Sequence, residues 1–455
     1  MDPSCFLTGS LKKFPWGGTV TRILAAAILA VEPGAAVHRA LRWEADQLTI
    51  GEKTYDLART RHVYVIGAGK AGAPMARAAV KILGDHPSAG IVIVKDGYAK
   101  YFGDIKGLTL LEAAHPVPDR RGIQATQRII HLLQETQADD LVICLFSGGG
   151  SALLISPPPG ISLDDLRSLT SLLLVCGTSI NEINNIRKHL DQVKGGNLAR
   201  LAAPAQVATL ILSDVVGDPL DVIASGPTVP DPTTFEEALS TLNRYGILNQ
   251  VPPAILEHLE RGRQGISSET PKPGDPLFEN VDNIVIGSNS LAAQAALRQA
   301  AAEGFHTLLL TTYLQGEARQ AGRMLAAIAR QVAQNGQPIP RPACLVIGGE
   351  TTVTVQSPGK GGRNQELALG AVSELAGLPD IALVTLATDG GDGPTDAAGA
   401  VVSGDTLGDA LRLGLVPADF LARNDAYNFF APLGDLLKPG PTQTNVNDLA
   451  FLFAF

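Results

Sequence analysis

The chain predicts an α/β fold in two domains, a large one over residues 1–270 and a smaller one over 271–455. Three observations lead there. At 455 residues the chain is long for one core. From Arg61 onward, apolar strand-like runs alternate with glycine turns and helical stretches. That is the pattern of βαβ units, a parallel sheet with helices on both faces. Proline and glycine thicken over residues 261–276, which marks a linker.

The first 60 residues read as a helix, a turn segment and a small hairpin over residues 48–55. The apolar run at 23–31 imitates a signal peptide, with Lys12 and Lys13 ahead of it. It is short, abutted by Arg22 and ended by Glu32-Pro33, so it reads as a core helix. Residues 62–66 are predicted as a strand, 67–72 as a glycine turn and 73–83 as a helix stopped by Gly84. Residues 90–95 and 140–146 are further strands. Ser162 with Asp165, and Ser179 with Glu182, mark two helix starts; the second pair is a capping box. In that second helix Ile183, Ile186, Leu190 and Val193 make an apolar stripe, while Asn184, Arg187, Asp191 and Lys194 fall on another face. Residues 206–212 form a strand ending at Ser213-Asp214. Past the linker, strands are expected at 283–286, 307–310, 343–347 and 381–386. Residues 343–355 read as two strands joined at Gly348-Gly349-Glu350, which makes the second sheet mixed.

Composition narrows the function classes. Hydrophobic residues are 45% and charged residues 18%, ordinary for a globular chain. The net charge is -9 and no basic stripe carries interleaved aromatics, so no nucleic-acid partner is expected. Cys5, Cys144, Cys176 and Cys344 show no CxxC or Cys/His metal spacing and read as reduced, cytoplasmic thiols. No apolar run approaches the roughly 18 residues of a membrane span, so no membrane partner is expected. GxxxxGK[ST], the HRD…DFG set, GxSxG and HExxH are all missing, which excludes P-loop, protein-kinase, α/β-hydrolase and zincin chemistry.

Five loops can carry chemistry, each after a strand or opening a helix, where open α/β sheets collect ligands. Gly67-Ala-Gly69-Lys70-Ala-Gly72 matches GxGxxG, and Lys70 beside backbone N–H groups suits a phosphate or carboxylate. The alternative is a packing turn with a solvated lysine. Ser147-Gly148-Gly149-Gly150-Ser151 offers a backbone nest for an anion, or merely a flexible turn. Residues 184–196 carry Arg187, Lys188 and Lys194, which can close over a phosphate or simply face water. Asp214 and Asp218 flank a post-strand turn, a Mg²⁺ or general-base signal that capping aspartates imitate. Last come Glu350, Arg363 in GKGGRNQE, and Asp389, Asp392 and Asp396 in the loop at 388–396. Arg363 suits paired hydrogen bonds to an anion, and Asp214, Asp389 and Asp392 are the candidate metal carboxylates. His115 and His189 read as hydrogen-bonded structural histidines.

Nine segments in order over residues 63–400 resemble the glycerate 2-kinase family (class II, DUF4147 with a C-terminal MOFRL domain). They are GAGKAG, GIVIVKDGY, AAHPVPD, FSGGGSALL, NEINNIRKHLDQVKGGNLA, LSDVVGDPLDVIASGPTVPDP, GGETTV, GKGGRNQELAL and ATDGGDGPTDAAGA. The resemblance implies a Rossmann-like domain over 1–270, a MOFRL-like domain over 271–455 and a site in the cleft between them. It implies ATP, Mg²⁺ and D-glycerate, giving 2-phosphoglycerate; the sequence leaves the oligomeric state open, a homodimer being one assembly to test. Lys70 and Arg363 match the lysine and arginine regarded as catalytic in the family. Our physical reading adds Asp214 or Asp389 as the base. It adds Gly67, Gly69, the 147–151 loop, Arg187, Lys194 and Glu350 as nucleotide-binding positions. Two other readings remain open. An NAD(P)-dependent hydroxypyruvate reductase is favoured by GxGxxG and Asp96, and a non-catalytic sensor by the glycine loops.

Overall fold

The computed structural model describes residues 1–455, the side chain of Tyr101 excepted. The chain forms two compact units that do not follow the expected boundary at residue 270. One comprises Pro33–Ser213 and Asp218–Ile286; the other comprises Met1–Glu32, Asp214–Gly217 and Gly287–Phe455. The helix Gly17–Ala30 buries Ile23, Leu24 and Ile28, as a core helix should, but it packs on the helix Asn289–Ala302. Residues 261–276 are not a free linker either. The Asp231 N–H donates to the Pro271 carbonyl at 2.8 Å and the Thr270 hydroxyl to Asp231 at 3.0 Å, tying this stretch down. Its prolines and glycines serve surface turns on a packed unit.

The Pro33–Ile286 unit opens with an antiparallel meander, β1 (Leu41–Glu44), β2 (Gln47–Ile50) and β3 (Lys53–Asp56), one strand more than the expected hairpin. Its main sheet contains β4 (Val63–Ala68), β5 (Pro87–Lys95), β6 (Thr109–Ala113), β7 (Leu141–Phe146), β8 (Gln206–Leu212) and β9 (Val281–Gly287), in the order β6-β5-β4-β7-β8-β9. The pairs β5/β6, β4/β5, β4/β7 and β7/β8 are parallel. The chain therefore winds outward from β4 in one direction, returns, and winds outward from β7 in the other. This doubly wound order makes β4/β7 the topological switch point. Both strands are buried throughout, because helices cover both faces, and so read as unbroken apolar runs. Cys144 sits in this core, and burial pushes its thiol up to about 12, which removes it as a nucleophile.

Beside the sheet, the helices Leu163–Val175, Ile180–His189, Phe235–Arg244 and Pro253–Arg263 share a second apolar cluster. Both expected helix starts form: Ser162/Asp165 and Ser179/Glu182 make reciprocal capping boxes.

The other unit is built on a mixed sheet, β10 (His306–Leu314), β11 (Ala343–Gly349), β12 (Ile381–Ala387), β13 (Gly399–Ser403), β14 (Leu436–Leu437) and β15 (Asp448–Ala454). Their order is β10-β11-β15-β12-β13-β14. It is mixed for a different reason from the one expected. Residues 351–355 do not form a strand. Instead β15 inserts antiparallel between β11 and β12, while β10/β11 is parallel. The helices Ala318–Asn335 and Arg363–Leu375 pack together over one face, around Leu325, Leu369 and Val372.

Candidate active site

The two glycine loops leave the switch point side by side, since Ala68 and Phe146 are register partners. They are locked together, and the lock uses up the first loop's donors. The Gly69 N–H donates to the Ile93 carbonyl (3.1 Å), Lys70 to Gly148 (2.9 Å), Ala71 to the Ser147 hydroxyl (3.0 Å) and Gly72 to Gly69 (3.1 Å). Pro74, in the first turn of the helix Gly72–Leu83, has no N–H to offer. Gly67 lies inside β4, where a Cβ would collide with the Leu145 carbonyl. Gly69 has φ +143°, and a Cβ there would strike Ser147. Three expected nucleotide-binding residues are thus corrected: Gly67, Gly69 and Ser147 are packing and clasp residues. Gly150 joins them, its N–H donating to the Ser147 carbonyl at 3.1 Å and its Cα facing Ala224.

The outer side of the lock is different. Among the described residues the N–H groups of Gly148, Gly149 and Ser151 have no protein acceptor. The Lys70 stem and the His115 ring lie over Gly149, whose φ of +84° suits glycine. Lys70 forms no ion pair and His115 no hydrogen bond among the described residues. Burial, with the charges of Lys70 and Lys95, pushes His115 down to about 4, so its ring is neutral at neutral pH. The Ser151 hydroxyl bonds that of Ser225 at 2.8 Å.

This corner opens into a cavity of about 440 Å³ between residues 115–118, residues 149–155 and the helix Leu163–Val175. Arg187 and Lys194 both line it, with opposite fates. Arg187 has no ion pair or hydrogen bond among the described residues, and burial lowers its pKa while leaving the guanidinium charged. Lys194 is buried against Asp191, with which it forms an ion pair, and donates to the Leu154 carbonyl at 3.0 Å. Burial pushes Lys194 down and Asp191 up, each restrained by the other. Lys194 is therefore corrected from a phosphate ligand to half of an internal pair. Lys188 is likewise buried, between Asp221 (3.0 Å) and Asp231 (3.3 Å). His189 is structural as expected, bonded to the Asn185 carbonyl and to Glu269, both at 2.8 Å; despite Glu269's partial burial, His189 helps hold that carboxyl down to about 2.

In the mixed-sheet unit Arg363 opens the helix Arg363–Leu375 and holds two carboxylates. Its Nε donates to Asp448 at 2.5 Å, with a second bond at 3.3 Å, and Nη1 donates to Glu350 at 2.6 Å. Burial works against the charge on Arg363, but Asp448 and Glu350 outweigh it and raise its pKa. Burial pushes Asp448 up to about 7, against the pull of Arg363. Asp448 stands outside the expected site residues; it ends the run Thr444-Asn445-Val446-Asn447-Asp448, which resembles the family, and opens the buried strand β15.

Asp392 is committed elsewhere. Its carboxylate accepts from the N–H groups of Asn364 (3.1 Å) and Gln365 (2.8 Å) and from the Gln365 side chain (3.0 Å). It caps the helix from a distant loop, favoured by the helix dipole. A Cβ at Gly362 would collide with it, which explains the glycine. Asp389 is exposed and accepts the Gly391 N–H at 3.1 Å in an Asx turn. Asp214 follows β8, half-buried and hydrogen-bonded or paired. Among the described residues no three His, Cys, Asp or Glu side chains gather in metal-binding geometry. The expected set Asp214, Asp389 and Asp392 is not gathered as one Mg²⁺ site among the described residues, and the buried Asp392 carboxylate is engaged by Asn364 and Gln365.

Comparison with known proteins places this arrangement. The family model "Domain of unknown function (DUF4147)" matches residues 19–260, and the MOFRL family model matches 343–448. The chain is 42% identical to a glycerate 2-kinase of Pyrococcus horikoshii, covering 94% of this chain and 95% of that one. It is 45% identical to a D-glycerate 2-kinase of Thermotoga maritima, over 85% of this chain and 89% of the relative. A relative from Agrobacterium vitis, 43% identical over 85% of each chain, carries a provisional hydroxypyruvate reductase name. The crystal structure of a Thermotoga maritima glycerate kinase superposes with a TM-score of 0.87 at 41% identity, covering 98% of this chain and 100% of that one. Among the described residues no single helix is long and apolar enough to cross a membrane. On similarity that runs through both units, the chain belongs to the glycerate 2-kinase family.

Proposed function

We propose that this chain transfers the γ-phosphoryl group of ATP to the 2-hydroxyl of D-glycerate, giving 2-phosphoglycerate and ADP. The observation that carries this reading is similarity at 42–45% identity through both units to proteins named for that acceptor. The site chemistry supports it. Phosphoryl transfer asks for positioning and for charge on the three peripheral phosphate oxygens rather than for covalent chemistry. Lys70, unpaired beside the free N–H groups of Gly148, Gly149 and Ser151, suits the transferring phosphoryl. Arg363 is oriented by Asp448, and Glu350 is its exchangeable partner, so an incoming carboxylate or phosphate takes Glu350's place. Asp214 or Asp389 accepts the proton of the 2-hydroxyl. ATP enters as its Mg²⁺ complex, and no ligand set in the chain is assigned to the ion. The four free cysteines suit the reducing cytoplasm.

The reductase reading is favoured by the Agrobacterium name and by GxGxxG. It needs the glycine turn as a pyrophosphate cradle, and four successive N–H groups of that turn are already bonded within the protein. One assay separates the two. Purified protein with ATP, Mg²⁺ and D-glycerate should release ADP and give a 2-phosphoglycerate signal in ³¹P NMR. A 3-phosphoglycerate signal would overturn the regiochemistry, and NADH oxidation on hydroxypyruvate without ADP release would overturn the kinase.

A further inference from the structure

We propose that the cavity between residues 115–118 and the helix Leu163–Val175 is the nucleotide pocket, its apolar wall taking the purine and Arg187 taking the polyphosphate. This rests on the kinase reading above.

The first argument is size. At about 440 Å³ the cavity falls in the range that holds nucleotide-sized ligands, whereas a three-carbon acid fills a small part of it. The second is the division of its lining. Leu166, Leu169 and Leu173 form one side, Val117 and Pro118 another, and Ile155 closes it. Such an apolar lining suits a base. The polar lining includes Gly149, Ser151, Arg187 and Lys194; of its other charged residues, Asp191 is paired with Lys194, and Arg167 is engaged by Asp164 and the Pro118 carbonyl. The third is charge. Lys194 is neutralised by Asp191, but Arg187 is not neutralised by anything among the described residues. A largely buried guanidinium without a carboxylate is costly unless an anion completes it. The N–H groups of Gly149 and Ser151, which also line the cavity, are unspent among the described residues. An apolar slot ending in a cation and free N–H groups fits a base joined to phosphates; glycerate offers no apolar face.

The test uses the full chain and three probes, MgATP, adenosine and inorganic tripolyphosphate, in titration calorimetry with melting temperatures alongside. Thr170→Trp fills the slot from a half-buried position on the helix, and Arg187→Met removes the charge while keeping an apolar stem. Each should weaken MgATP about 10- to 100-fold with the KM for D-glycerate unchanged. Thr170→Trp should abolish adenosine binding and spare tripolyphosphate, and Arg187→Met should do the reverse. If one variant fails to fold, the other decides. Wild-type binding of MgATP that both variants retain would overturn the pocket and leave the kinase standing. A rise in the glycerate KM without loss of ATP affinity would assign the cavity to the acid and overturn the proposal. Failure of the wild type to phosphorylate glycerate at all would remove the reading beneath it.

Discussion

Among the described residues Lys70 and Arg187, in the parallel-sheet unit, have no carboxylate partner, whereas Arg363, in the mixed-sheet unit, has two. Lys194 sharpens the contrast, because it lines the same cavity as Arg187 and is fully paired. Arg187, kept without a partner and largely away from bulk water, forgoes hydration for no internal return, an arrangement that suits a ligand. A cation held by carboxylates is oriented in advance, at the cost of part of its field.

That contrast can be broken first at Lys70. Lys70→Met should lower kcat by about 10²- to 10³-fold with the melting temperature nearly unchanged, because no protein partner is lost. A fall in stability with kcat per folded molecule preserved would show that Lys70 is structural. Lys194→Met should do the opposite. It strands a buried carboxylate at Asp191, so urea unfolding should report a loss of about 3–5 kcal/mol. The double change Lys194→Met/Asp191→Leu should recover most of that loss, since both charges are then gone. Asp392→Ala should cost about 1–3 kcal/mol through the lost cap, which leaves the backbone N–H groups of Asn364 and Gln365 without their acceptor. Its Mg²⁺ dependence of rate should match the wild type; a shift there would restore Asp392 as a metal ligand.

The smallest effect is on pH. Asp448, with a folded value near 7, is charged above that pH and neutral below it. Activity should therefore fall as pH drops through about 7, when the Arg363 fork loses its anchor, and Asp448→Asn should flatten that limb. The stability effect has the other sign. Between about 4 and 7 the folded state binds more protons at this carboxyl than the unfolded state does, so its contribution weakens as pH rises. A profile flat across pH 6–8 in the wild type would remove Asp448 from the account of Arg363.

Much of the parallel sheet was legible. Strands 62–66, 140–146 and 206–212 appear within a residue or two of their observed bounds, because central strands buried on both faces show as unbroken apolar runs. Both capping boxes were readable from four-residue spacings, since a cap is a local interaction. The central β15 was overlooked although its seven residues are all buried, because the run Leu449–Phe455 pairs only with strands remote in sequence. The second strand expected at 351–355 reduces to a single bridge, Thr352 with Glu317, because the segment meets only the short turn ahead of the helix Ala318–Asn335. Of the candidate site, Lys70, Arg187 and Arg363 stood out by residue type and setting. Which of Arg187 and Lys194 was spent did not, because helical spacing alone put them on one face.

The sequence by itself determined the α/β alternation, the caps, the glycine loops at strand ends and the family. These follow from periodicity, short-range hydrogen bonding and residue types that a loop needs locally. Only the tertiary structure decided that Met1–Glu32 joins the C-terminal half, that Gly67, Gly69 and Ser147 lock two loops rather than hold a ligand, and that Asp392 caps a helix 27 residues upstream of it. Each depends on a partner far along the chain. A donor or carboxylate can be counted as free only after every such partner is known.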